Sequence, residues 1–99
     1  MWHISPLITR VYYENGLKIA TDEESTCAYS FVDSKCMFDI KNITEKSNAE
    51  LMSGTGKEHM GEWKAESTYY IKCMDEYGNA PGRCSIIVRP YDILKNEKR

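Results

Sequence analysis

Apolar and polar positions alternate along much of this chain. Leu17-Lys18-Ile19-Ala20-Thr21 sets apolar residues against polar or small ones, the period of a half-buried strand. Residues 68–74 repeat the pattern, with Tyr69, Ile71 and Cys73 on one face and Tyr70, Lys72 and Met74 on the other. Cys27, Tyr29 and Phe31 share a face of a third run. Residues 7–13 form a further candidate strand, with Pro6 ahead of it where no ladder donor is needed. A last strand is expected over Arg83 to Arg89, with Cys84, Ile86 and Val88 on one face and Pro90 ending it.

Turn signals separate these runs. Asn15-Gly16 is a strong one, and Asp22-Glu23-Glu24-Ser25 and Ser53-Gly54-Thr55-Gly56 are others. The stretch 33–62 is the least regular. Within it Cys36-Met37-Phe38-Asp39-Ile40 reads as a short strand, and Asn48-Ala49-Glu50-Leu51-Met52 as a strand or a helical turn. No segment has the period and length of an ordinary helix, and no repeat is visible. About seven short strands with turns between them predict an all-β, antiparallel β-sandwich. The expected organisation is an extension at 1–5, one domain at 6–90 and a charged tail at 91–99.

Composition sharpens this picture. Ninety-nine residues make one domain. A chain this short buries only about two-thirds of its unfolded surface, so cross-links matter. Thirteen basic and fifteen acidic residues give a net charge of -2 with no basic stripe, which argues against a nucleic-acid partner. No apolar run reaches membrane-spanning length, so no membrane insertion is expected. Residues 1–6 have neither the positive nor the apolar region of a signal peptide. Trp2 is a docking residue or part of a loose end.

The four cysteines are the main candidate chemistry. An even number in so short a chain favours disulfides in an oxidising compartment, and three pairings are open. One is 27–36 with 73–84, because Cys73 and Cys84 flank a hairpin. There is no Cys-x-x-Cys spacing for zinc or for a redox site. His59 has no second ligand at helical spacing, and His3 is terminal. Ser53-Gly54-Thr55-Gly56-Lys57 lacks the spacing of a phosphate loop. Asp22, Glu23, Glu24, Asp75 and Glu76 could offer oxygens to calcium, but they lack the alternating acidic array and read as solvated turns. No cofactor is expected. Asp75 is expected to accept backbone N–H bonds in its bend, with Gly78 taking a positive φ. Asn42-Ile43-Thr44 is a glycosylation sequon. Tyr12, Tyr70, Met74 and Tyr77 form a candidate outward patch, for a ligand or for an adjoining domain.

Three stretches together carry a family resemblance: Leu17–Thr21 followed by Ser25–Ser30, Trp63 followed by Thr68–Cys73, and the turn Cys73-Met74-Asp75-Glu76-Tyr77-Gly78-Asn79. They resemble a fibronectin type III-like or immunoglobulin-like domain of bacterial and archaeal surface proteins. The resemblance implies a Greek-key sandwich, with Trp63 as the apolar residue before the loop and Tyr69 as a tyrosine corner. It also implies a Cys27–Cys73 disulfide, leaving Cys36–Cys84 as an extra bond from the variable segment to the last strand. The long segment 33–60, with Cys36, and the additional Cys84 depart from the family pattern.

No catalytic constellation is visible, so the expected function is a non-catalytic extracellular module, a spacer or adhesive unit of a cell-surface or secreted protein. Its partners would be neighbouring domains or subunits, a surface protein or a polysaccharide. A pilus, filament or surface-layer subunit is one alternative. A carbohydrate-binding accessory domain of a secreted enzyme is another.

Overall fold

A computed structural model describes residues 6–54 and 56–91. Among these residues seven strands follow in chain order: β1 (Ile8–Tyr13), β2 (Leu17–Thr21), β3 (Ser25–Ser30), β4 (Glu50–Leu51), β5 (Glu58–Gly61), β6 (Tyr69–Asp75) and β7 (Ile86–Val88). A short 3-10 turn, Glu45–Ser47, precedes β4. All pairing is antiparallel, in one sheet of order β1-β2-β5 and another of order β4-β3-β6-β7.

The two sheets pack through the alternation seen in the sequence. Leu17 and Ile19 of β2 meet Cys27 and Tyr29 of β3 and Tyr69, Ile71 and Cys73 of β6 in one buried cluster. Each fully buried aliphatic side chain there contributes about 1.5–3 kcal/mol relative to exposure. The hairpin between β1 and β2 turns at Asn15 and Gly16, both at positive φ, the conformation Asn and Gly tolerate best. A Cβ at Gly16 would also lie 2.8 Å from the carbonyl oxygen of Gly61.

A third layer lies outside the larger sheet. Cys36, Phe38 and Ile40 are buried while Met37 and Asp39 are exposed. Together with Ala28 they form a second cluster, against which Tyr70, Met74 and Cys84 pack. This segment covers the outer face of β3 and β6, which is why β3 is buried on both faces from Cys27 to Ser30.

The structure corrects several sequence expectations. Residues 36–40 have strand alternation but form no strand. Cys36 sits at φ 52, and the backbone N–H groups of Lys35, Met37 and Phe38 donate to the Asp33 carboxylate rather than to a neighbouring strand. Residues 48–52 resolve into Asn48 in the left-handed region, ending the 3-10 turn, and then β4. Strand β5 falls in a stretch that the sequence pattern left unassigned. The last strand is only Ile86–Val88, and the chain bends at Ser85. Cys84 therefore packs in the outer layer while Ile86 and Val88 face the main core. The extension 1–5 and residues 92–99 of the tail, with Trp2 and His3, lie outside the described residues.

Candidate functional site

The cysteines form two bonds, Cys27–Cys73 and Cys36–Cys84. Cys27 lies directly opposite Cys73 in the β3–β6 register, so the first bond crosses two strands of one sheet inside the main core. The second ties the covering segment to the approach to β7. Lys72 reinforces it: its ammonium donates to the carbonyls of Cys36 at 3.0 Å and Phe38 at 3.1 Å. The outer layer is thus held by a covalent bond, by Lys72 and by burial of Phe38 and Ile40.

Tyr69, fully buried at the start of β6, reaches back to the chain before it. Its hydroxyl donates to the carbonyl of Glu62 and accepts from the N–H of Lys64, fixing the segment that carries Trp63. Burial pushes its pKa up. Trp63 packs against the core and meets Tyr13 edge-on, with ring centroids 4.6 Å apart. Tyr29 donates to Glu50 at 2.8 Å, and burial followed by that hydrogen bond pushes its pKa up to about 12. At the far end of β6, the buried Asp75 carboxylate accepts from the N–H groups of Tyr77 and Asn79 and from the Asn79 side chain. Gly78 completes this bend at φ 89, with Lys41 against it. The acidic turn is closed by its own donors.

Sequence reading passed over one arrangement. His59 of β5 is buried, and its Nε2 lies 3.0 Å from Ser25 Oγ and 3.1 Å from the carbonyl oxygen of Gly56. Ser25 Oγ in turn lies 3.0 Å from Thr21 Oγ1. Among the described residues Nδ1 has no hydrogen-bond partner. Burial pushes the imidazole pKa down, against the opposing pull of the Gly56 and Gly54 backbone groups. A Ser–His contact of this length has the spacing of a nucleophile–base pair, but no carboxylate orients Nδ1. The arrangement joins the two sheets, since β5 belongs to one and Ser25 to the other.

The four residues of the candidate patch are not brought together. Tyr12 is on β1, on the outer face of the smaller sheet, with Arg10 over its ring at 4.1 Å. Tyr70 and Met74 lie under the covering segment, and Tyr77 is exposed at the β6–β7 turn. The patch dissolves because the outer face of β6 is occupied. Asn42 is exposed beside the turn in which its N–H meets the carbonyl of Asp39, and Thr44 caps the 3-10 turn. Asp22 accepts from the N–H of Leu7. Among the described residues, no three His, Cys, Asp or Glu side chains gather as a metal site would require.

Three depressions stand out on the surface of the described residues. One, about 320 Å³, lies over β5 and is lined by Glu14, Lys18, Ser53, Glu58 and Met60; its Lys18 is held by Glu14 at 2.6 Å. Another, about 520 Å³, lies between residues 34–37 of the covering segment and residues 82–87 leading into β7, with Lys35, Met37, Arg83, Ile86 and Ile87 among its walls, and a third, about 660 Å³, lies beside β4, with Ile43, Glu45, Glu50 and Leu51 among its walls.

These features define a disulfide-stapled, two-sheet β protein with a pinned outer layer. Comparison with protein-family models, curated proteins and solved structures finds no match. Among the described residues no helix is long and apolar enough to cross a membrane.

Proposed function

We propose that this chain is a non-catalytic extracellular module of a cell-surface or secreted protein, acting as a spacer or binding domain. The observation that carries this reading is the pair of disulfides, each spanning more than forty residues and each fixed in its own apolar cluster. Such bonds persist in oxidising compartments and compensate for a small core. The polar side chains of the interior support a structural role, because Tyr69, Asp75 and Lys72 are all committed to backbone groups. The sheet order and the back-bonded Tyr69 also support kinship with fibronectin type III-like or immunoglobulin-like domains. The Cys27–Cys73 bond lies within one sheet, however, unlike the inter-sheet bond of antibody domains.

The test is the thiol state of the chain isolated from its natural source. Intact mass after alkylation under denaturing, non-reducing conditions should show no modified cysteine, and four after reduction. Four thiols alkylated without reductant would overturn the extracellular reading.

A further inference from the structure

We propose that the edge of β7, which no strand covers among the described residues, is a docking site for an extended, acidic polypeptide segment of another protein. The proposal rests on the reading of the chain as a binding module and names the surface that binds. The four sheet edges differ. The outer edge of β5 is closed by Ser53, which exchanges two backbone hydrogen bonds with Met60 at 2.8 and 2.9 Å. The edge strand β1 is interrupted by an irregularity between Ile8 and Arg10 and guarded by the Arg10 charge, two devices that discourage pairing. Strand β4 is two residues long. The depression beside β4 carries Glu45 and Glu50, and the one over β5 sets Glu14 and Glu58 against Lys18, whereas the groove beside β7 is both apolar and basic.

Its apolar walls are exposed. Met37 is 73% and Ile87 47% accessible. Its rim carries Lys35 and Arg83, with Arg89 just beyond β7. Among the described residues no acidic side chain lines it. The nearest acid in sequence, Asp33, spends its carboxylate on three backbone N–H groups. The charge also selects the occupant. A second copy paired edge to edge would set Lys35, Arg83 and Arg89 against themselves, whereas a foreign acidic strand is attracted. An added strand bonds through main-chain groups, and its alternate side chains supply specificity. An apolar residue would sit between Met37 and Ile87, and flanking carboxylates would meet Lys35 and Arg83.

The test titrates the oxidised, isotope-labelled chain with the end-blocked peptide Asp-Val-Thr-Val-Thr-Asp, followed by the backbone amide spectrum. A counterpart peptide carries lysine in place of both aspartates. The expected result is shifts confined to residues 34–37 and 82–88, none with the lysine peptide, and affinity reduced about tenfold or more in the Lys35→Glu/Arg83→Glu variant. Both substituted residues are exposed, so the variant's unperturbed spectrum elsewhere reports that it is folded. The proposal is overturned by no shifts at millimolar peptide, by equal binding of the lysine peptide, or by concentration-dependent changes at β7 in the chain alone. None of these outcomes touches the thiol result that decides the extracellular reading.

Discussion

Two buried side chains show how single polar groups hold this structure. The Tyr69 hydroxyl satisfies one carbonyl and one N–H in the segment around Trp63. Tyr69→Phe keeps the ring and strands both groups, so stability should fall by about 1–3 kcal/mol, read as a lower urea midpoint at unchanged slope. His59 gives a pH dependence. Its folded pKa lies below the ordinary 6.5. The unfolded chain therefore takes up the proton first as pH falls, and the fold is stabilised by the neutral imidazole. That contribution is complete above about pH 6.5 and is lost as pH falls from there through the folded-state pKa. The urea midpoint should drop between about pH 7.5 and about pH 5, and the drop should shrink in His59→Gln. An unchanged pH profile in that variant would assign the dependence to other groups.

At the scale of elements, what could be read in the sequence depended on where each strand's partners lay. Residues 17–21 and 69–75 carry their alternation in their own side chains, so both strands were legible. Strand β5, Glu-His-Met-Gly, was not. Its core positions are a histidine whose Nε2 meets Ser25 and a glycine kept small because the Tyr29 ring would lie 3.0 Å from a Cβ there. The segment 36–40 misled in the opposite sense. Alternating burial needs only an extended chain over an apolar surface, and Asp33 supplies the acceptor that a neighbouring strand would have offered. The candidate patch failed for the same reason, since nothing local in Tyr70 or Met74 announces a layer folded over them. Lys72 is the hinge of that layer's retention. Lys72→Met keeps most of the apolar stem and removes the ammonium that two carbonyls use. Amide exchange over residues 36–42 should then accelerate while exchange in β3 and β6 stays slow. Equal acceleration in all three would show that the layers open as one unit.

For the whole molecule the two staples act together. The sequence separations are 46 and 48. Either bond alone constrains the unfolded chain by about 4 kcal/mol in the loop-entropy account. The loops interleave, so once one bond exists the other closes a ring of only about 20 residues and adds about 3 kcal/mol. Removing Cys27–Cys73 with alanines should cost more than removing Cys36–Cys84. The first pair is wholly buried in the main core, whereas Cys84 is half-buried at its margin. Urea midpoints of the two double variants measure the difference, and equal losses would show that sulfur packing contributes nothing beyond the cross-link.

The interleaved bonds also set how far the chain can be drawn out under tension. Between Pro6 and Tyr91 a reduced chain spans 85 peptide steps, a contour of about 300 Å. With both bonds intact, the shortest covalent route runs through Cys36 and Cys84 and leaves about 37 steps, or about 130 Å. Force applied at the ends of the oxidised molecule can peel away β1, β2 and the last strand. The cross-linked stretch from Cys36 to Cys84 never carries the load in series. The oxidised domain is a link of limited give, and more than half of its length is locked away from stretching.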